Sequence, residues 1–163
     1  MSDNFKIRFA KREDTELVLK FIKELADYEE LLDEVVADKE TLEESLFDRE
    51  MAEVIIGEYK DKPVGFALFF HNFSTFLGKP GIYLEDLYVR PEYRGNGYGK
   101  KLLAFLADLT VKRDCGRLEW WVLNWNKSSI DFYESLGAKA MDEWTVYRLT
   151  GESLQDLAGG FED

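Results

Sequence analysis

The sequence has 163 residues, of which 45% are hydrophobic and 15% aromatic, so it is a globular chain and not a disordered one. The net charge of −12 argues against nucleic-acid phosphates as partners and weakly favours cationic ligands. No apolar run approaches the roughly 20 residues of a membrane span. No signal peptide is visible, and a single cysteine excludes an internal disulfide. We expect one domain over residues 1–163, located in the cytoplasm.

Hydrophobic periodicity predicts ten elements in the order β-α-α-β-β-β-α-β-α-β. Apolar residues alternate in six predicted strands, which are residues 5–9, 53–59, 64–73, 82–89, 118–123 and 144–149. Helical spacing predicts four helices, which are residues 14–28, a short helix that begins at Asp38, a long helix that carries Leu102 and Leu106, and residues 128–136. Asp14 is a candidate N-cap of the first helix, and Gly116 and Gly137 are candidate stops for the last two.

A glycine-rich loop at residues 94–99 lies between the fourth predicted strand and the long helix. Arg94, Gly97 and Gly99 stand as R-x-x-G-x-G, with an additional Gly95. Glycine permits positive φ, so backbone N–H groups can converge on an anion, which the N-terminus of the next helix also attracts. The spacing matches neither the Rossmann fingerprint nor the P-loop. This loop therefore predicts a pyrophosphate ligand.

The glycine-rich loop resembles the coenzyme A loop of the GNAT N-acetyltransferases, whose signature is [QR]-x-x-G-x-[GA]. The order of predicted elements is also similar to the GNAT fold, which is an α/β (α+β) fold with a central, mixed, mostly antiparallel, twisted sheet flanked by helices. Residues 82–100, 125–126 and 130–138 resemble the diamine (spermidine/spermine-type) branch, and residues 83–89 and 122–126 are especially similar to its thialysine N-ε-acetyltransferases. The resemblance spans nearly the whole chain. It implies acetyl-CoA as co-substrate and a homodimer.

The same resemblance implies where acetyl-CoA is held. The backbone of residues 87–89 would pair with the pantetheine arm, residues 94–100 would hold the pyrophosphate, and residues 126–129 would close the other side. The expected cofactor-binding residues are Leu87, Tyr88, Val89, Arg94, Gly95, Asn96, Gly97, Tyr98, Gly99, Lys100, Asn126, Lys127, Ser128 and Ser129. The side chain of Arg94 could equally pair with a local carboxylate.

Amine acetylation needs a proton acceptor, because an alkylammonium with a pKa of ~10.4 is almost fully charged at pH 7. Glu85, an isolated carboxylate among apolar strand residues, is the candidate base, acting through water, or alternatively a static counter-charge. Strand alternation predicts that Asp86 points to the opposite face. The leaving thiolate needs a proton donor, and the resemblance assigns this role to Tyr133. The alternative for Tyr133 is a core aromatic beside Phe132.

The resemblance places an amine site around an acidic residue at the end of the first helix. The expected substrate-binding residues are Tyr28, Glu29, Glu85, Asp86, Trp121, Glu143 and Trp144. The chain departs from the polyamine acetyltransferases at Ser74 and Phe76, where those enzymes have an acidic residue and a tryptophan. We expect a diamine or polyamine as acceptor, with a thialysine or lysine side chain as the alternative.

Two further interpretations have less support in the residues. Cys115 would permit a ping-pong mechanism through an acetyl-cysteine, but no histidine is paired with it, and a small buried thiol is favoured. A non-catalytic acyl-CoA sensor would use the same fold, but the presence of both Glu85 and Tyr133 argues against it. His71 is the sole histidine, so a histidine-rich metal site is excluded and no metal is expected. We therefore expect direct attack of a small-molecule amine in a ternary complex.

Overall fold

The computed structural model describes residues 4–161, and a five-stranded sheet organises the first of its two compact units. One unit ends at Trp121 and the other begins at Val122. The strands are β1 (Phe5–Phe9), β2 (Glu53–Tyr59), β3 (Lys62–Ser74), β4 (Lys79–Val89) and β5 (Leu118–Trp120). They lie in sequence order, with antiparallel pairing from β1 to β4 and parallel pairing of β4 with β5. The predicted mixed, mostly antiparallel sheet is confirmed.

Helices cover this sheet, and their amphipathic faces explain the packing. The helices of the first unit are α1 (Thr15–Tyr28), α2 (Lys39–Glu43), which continues into a π-helical turn (Glu44–Asp48), and α3 (Tyr98–Lys112). Buried apolar residues recur along α1 at helical spacing, and Phe21 stacks on Phe66 of β3 with ring centroids 5.2 Å apart. In the first turn of α3, Tyr98 stacks on Phe5 of β1 at 4.2 Å. Burial of each such aromatic ring contributes about 1.5–3 kcal/mol to stability.

Alternation along β3 decides which face of the sheet each helix covers. Phe66 and Leu68 belong to the buried cluster that contains α1 residues Val18 and Phe21. Ala67 and Phe69 lie between them in sequence and are also buried, so they occupy the opposite face. We call the first of these two surfaces the α1 face of the sheet.

The helix ends differ from the sequence expectations in two places. Asp38 caps α2 as expected, because its side chain accepts a hydrogen bond from the Thr41 N–H at 2.8 Å. Asp14 occupies the N-cap position of α1 as expected, but its side chain makes no capping hydrogen bond: its carboxylate is held by the Arg8 guanidinium, at 2.8 and 2.9 Å, and by the Lys11 N–H. Gly116 does not end α3, which stops at Lys112, four residues earlier.

The second unit contains two helices and no strand within its described residues. They are α4 (Lys127–Ser135) and α5 (Gly151–Gly159). Gly137 has φ +89° just beyond α4, as expected of a glycine stop. The strand expected at residues 144–149 is wrong, and α5 was not predicted. Side chains at even and at odd positions of that segment are exposed, 72% for Trp144 and 93% for Tyr147, so neither face of a strand there would be buried.

The remaining sequence expectations for the fold have mixed outcomes. The fifth strand is shorter than expected, since β5 ends at Trp120. The single domain over residues 1–163 stays a prediction. Over residues 4–161, no helix combines the length and the apolar character that crossing a bilayer requires. In the same part of the chain, no cluster of three or more His, Cys, Asp or Glu side chains is arranged to hold a metal ion.

Candidate active site

The glycine loop, residues 94–99, presents open backbone at the start of α3. Gly95 has φ +84° and Gly97, the N-cap of α3, has φ +79°. Both values lie in the left-handed region, which a residue with a Cβ enters at a cost of about 1–2 kcal/mol. No atom lies within 4 Å of a Cβ built on either glycine. The glycines are thus required by backbone conformation and leave space beside the unpaired N–H groups of the helix end, which fits a bound pyrophosphate.

The side chain of Arg94 connects the glycine loop to the end of α1. Its Nε donates a hydrogen bond to the Val89 carbonyl at 2.9 Å. Its guanidinium carbon lies 4.9 Å from the ring centroid of Tyr28 and 5.6 Å from that of Tyr88. A guanidinium over aromatic faces at these distances is a cation–π contact. The expected substrate residue Tyr28 therefore already contacts a cation of the chain itself.

A second arginine, which sequence reasoning did not single out, joins α1 to the end of β4. Arg90 donates from Nε and Nη2 to the two oxygens of Glu24, at 3.0 and 3.1 Å. The Tyr88 hydroxyl donates to the same carboxylate at 3.2 Å, and the Arg90 guanidinium lies 4.7 Å from the Phe21 ring centroid. Such a bidentate, partly buried pair fixes geometry better than an exposed ion pair does. It holds the C-terminal half of α1 against β4.

A β-bulge interrupts β4 at Glu85, and it places the expected catalytic carboxylate. Leu84 pairs with Phe69 of β3, whereas Asp86 pairs with Leu68, so Glu85 is the additional residue. Glu85 is exposed, and Asp86 is half-buried. We call residues 85–86 the β4 bulge. Its exposed Glu85 corrects the expectation of a carboxylate enclosed by a core strand.

Strand alternation predicted that Glu85 shares a face with Tyr83 and that Asp86 lies on the opposite face. The β4 bulge makes the prediction for Asp86 wrong. Tyr83 pairs with Phe70 and Asp86 with Leu68, two β3 residues of the same parity. Both β4 residues therefore lie on the α1 face of the sheet, although three positions separate them. In a bulge, two residues on one strand oppose one on its partner, which shifts the alternation. The end of α1, with Glu29, lies on this same face.

Burial and neighbouring negative charges shift the pKa values of acidic groups around the β4 bulge. Burial, then the charge of Glu85, then that of Glu29 raise the pKa of Asp86 to about 7. Burial also raises the pKa of Glu29. Burial and the charges of Glu85 and Glu119 raise the pKa of Tyr83. Desolvation and like charge both favour the protonated form of an acid. A cluster of carboxylates in which one has a strongly raised pKa is a candidate functional site.

Aromatic and polar residues extend this face toward β5. Tyr83 contacts Phe70 and Trp121, with ring centroids 5.2 and 5.8 Å apart, and Trp121 is largely exposed. Asn72 donates to Glu119 at 3.1 Å. The buried Tyr83 hydroxyl has no hydrogen-bond partner in residues 4–161. Sequence reasoning missed Tyr83 and Glu119, although Tyr83 precedes Glu85 by two positions and strand parity alone could have suggested it.

The expected site residues that follow Trp121 in the sequence belong to the second unit. Tyr133 lies half-buried in α4, with its ring centroid 5.6 Å from that of Phe132. Asn126 is buried and its side chain accepts from the Ser129 N–H, while Lys127 pairs with Asp131 at 2.8 Å. Residues 140–144, which include the expected Glu143 and Trp144, line a cavity of about 270 Å³. These positions stay predictions as to role.

Three residues that the sequence singled out have plain structural settings. Ser74 is buried, and its hydroxyl accepts a hydrogen bond from the Leu77 N–H at 3.2 Å, so it ends β3 as part of a turn. Phe76 is 96% exposed. Cys115 is half-buried beyond α3, with Sγ 3.9 Å from the Arg113 carbonyl. In residues 4–161, no histidine contact with Cys115 is found that would activate the thiol.

Comparison with known proteins agrees with this fold. The model of the acetyltransferase (GNAT) family matches residues 19–138. The thialysine N-ε-acetyltransferase of Bos taurus is 38% identical over 94% of this chain and 96% of that protein. The L-ornithine N5-acetyltransferase NATA1 of Arabidopsis thaliana is 50% identical over 57% of this chain and 41% of that protein. The integron cassette protein VCH_CASS6 of V. cholerae has a similar structure, with a TM-score of 0.80, 28% identity, and coverage of 96% of this chain and 99% of that one.

The family model matches well over half of the chain, and the thialysine N-ε-acetyltransferase covers nearly all of it. The chain belongs to the GNAT family of acetyltransferases.

Proposed function

We infer that this enzyme transfers an acetyl group from acetyl-CoA to a primary amine of a small cationic molecule. The observation that carries the inference is the cluster formed by Asp86 and the two carboxylates whose charges act on it, Glu85 and Glu29. Opposite charge attracts an alkylammonium, and a net charge of −12 raises its local concentration further. A non-catalytic acyl-CoA sensor would have no use for such a patch beside the fourth strand.

The glycine loop supports acetyl-CoA as the donor. The N–H groups around Gly97 and at the start of α3 would bind the pyrophosphate, and Arg94 would stay with Tyr28. When bound, the donor supplies a thioester carbonyl for attack by the amine. Residues 87–89 and 126–129 are proposed to line the rest of the coenzyme, and Tyr133 to give its proton to the leaving thiolate. The homodimer and the cytoplasmic location also remain part of this proposal.

Among small amines, we place basic amino acids such as thialysine or ornithine ahead of diamines and polyamines. The residues alone favoured the reverse order. Two relatives named for thialysine and ornithine support the change. An amino acid also brings an α-carboxylate, which acidic surroundings repel unless a cation is near. Arg94, whose guanidinium lies over the ring of Tyr28, the residue that precedes Glu29, is such a cation.

Matched substrate pairs test this order, because ornithine and putrescine, like lysine and cadaverine, differ only in the α-carboxylate. We expect kcat/KM with acetyl-CoA to be about tenfold or more higher for the amino acid of each pair, with thialysine also acetylated. Thiol release and product mass are the readouts. If putrescine and cadaverine lead instead, or spermidine exceeds all of them, diamines or polyamines are the substrates. If no amine is acetylated, the amine proposal fails.

Tyr133→Phe tests the proposed proton donor, because it keeps the ring and deletes only the hydroxyl. A general acid typically contributes roughly 10²–10⁴-fold, so we expect kcat to fall about tenfold or more while the Kd of acetyl-CoA is unchanged. Tyr147→Phe is the matched control, since Tyr147 is an exposed tyrosine of the same unit. Equal kcat for Tyr133→Phe and the wild type would remove Tyr133 from the chemistry.

A further inference from the structure

The β4 bulge offers two adjacent carboxylates for one proton transfer, and their settings differ. Glu85 is exposed to water, which solvates its charge. Asp86 is half-buried and lies opposite the apolar Leu68, two positions before the buried Tyr88. Desolvation disfavours the charged form of a carboxylate, so burial alone makes Asp86 the stronger proton acceptor.

The charged neighbours of Asp86 increase this difference. Glu85 lies beside it on the same strand, the charge of Glu29 at the end of α1 acts on it, and its pairing partner on β3 is the apolar Leu68. Two like charges nearby oppose ionisation, and together with burial they raise the pKa of Asp86 to about 7. A general base is most effective when its pKa lies near the working pH. The cluster therefore offers Asp86 as a proton acceptor, with the carboxylates of Glu85 and Glu29 beside it to attract the cationic substrate.

We propose, resting on the amine acetylation inferred above, that Asp86 accepts the proton that the substrate ammonium loses, while Glu85 and Glu29 hold the cation. The ammonium becomes a neutral amine and the Asp86 carboxylate becomes a carboxylic acid. The amine nitrogen then bonds to the acetyl carbon, and the carbon–sulfur bond breaks. The leaving thiolate takes the proton of the proposed donor Tyr133, the second nitrogen proton replaces it on Tyr133, and the first passes from Asp86 to water.

The pH dependence of kcat/KM separates Asp86 from Glu85. For the wild type, we expect kcat/KM to rise with pH to a plateau with its midpoint near 7, where free Asp86 ionises. Asp86→Asn must wait for amine that is already neutral, so its kcat/KM should be about 10²–10⁴-fold lower at pH 7.5 and rise without a plateau to pH 9. Glu85→Gln should keep the plateau and move its midpoint to lower pH, because one like charge is gone.

Asp108→Asn is the control for loss of a charge, since Asp108 pairs with Lys112 on the exposed surface of α3. This variant should show the wild-type profile. The opposite pattern would overturn the inference: a plateau kept by Asp86→Asn and lost by Glu85→Gln would make Glu85 the acceptor. Unchanged affinity for acetyl-CoA in each variant shows that the fold and the donor site are intact.

A titration without any substrate tests the same inference independently of activity. In the uniformly ¹³C,¹⁵N-labelled wild type, the Asp86 Cγ resonance should titrate with a midpoint near 7, and in Glu85→Gln at a lower pH. A midpoint near the ordinary value of ~3.9 would overturn the role of Asp86 even if amines are acetylated. If the midpoint is near 7 but no amine is acetylated, the proposed function fails while the assignment of the proton-binding group stands.

Discussion

The glycine loop and the β4 bulge flank the carboxyl-terminal part of the same strand, and they differ in which groups they offer to a ligand. In the glycine loop the backbone is the functional group, and the side chains are missing where space is needed. In the β4 bulge the side chains are functional, and the backbone only decides where they point. The first depends on local conformation, and the second depends on pairing with another strand.

The largest effect is expected where the backbone itself would be the binding group. Gly97→Val puts a β-branched side chain at φ +79° and fills the open space beside the N-terminus of α3. We expect the Kd of acetyl-CoA to rise about tenfold or more, since strain of about 1–2 kcal/mol adds to the steric block. Calorimetric titration measures the Kd, and circular dichroism checks the fold. An unchanged Kd would mean that the glycine loop is only structural.

For the β4 bulge, the expected effect is a dependence of the free energy of unfolding on pH. The raised pKa of Asp86 means that its carboxyl group binds a proton more tightly in the folded protein than in the unfolded chain, where the pKa is ~3.9. The folded state therefore holds more protons between about pH 4 and 7, and stability falls as pH rises through this window. Asp86→Asn removes that loss, so it should be more stable than the wild type at pH 8.

The size of this second effect follows from the same reasoning. We expect a gain on the order of 1–4 kcal/mol at pH 8, with a much smaller difference at pH 4. Urea unfolding at the two pH values measures it, with Asp108→Asn as the control for an exposed carboxylate. A gain of equal size at both pH values would show that packing, and not proton binding, distinguishes the aspartate from asparagine.

The sequence was most informative where the backbone conformation requires a particular residue type. Three closely spaced glycines before an amphipathic helix predicted a loop with positive φ angles, and the positive φ of Gly95 and Gly97 confirms that prediction. Apolar alternation predicted strands β1 to β4 because each of them buries one face or both. The same alternation failed at residues 144–149, because a strand also needs a partner, which periodicity does not reveal.

The electrostatics of the site could not be read from the sequence, because they depend on pairing register. Strand parity placed Asp86 on the wrong face, since nothing in the letters near Glu85 indicates a bulge. The approach of Glu29 to Asp86, and of Glu24 to Arg90, joins residues more than 50 positions apart. Charge could be counted from the residues, but its location on the α1 face required the fold.

The smallest expected effect tests whether conformation alone explains the glycine loop. Gly99 lies in the first turn of α3 with a φ that is not positive, and an added Cβ would contact only Val89 Cγ2, at 3.9 Å. Gly99→Ala should therefore leave the Kd of acetyl-CoA within about twofold and could stabilise the helix by about 0.5–1 kcal/mol. The same titration and a thermal melt, run beside Gly97→Val, measure both. If Gly99→Ala weakens binding as much as Gly97→Val does, close approach of the ligand governs this position. The contrast between backbone conformation here and side-chain charge at the β4 bulge would then need a third factor, the shape of the ligand itself.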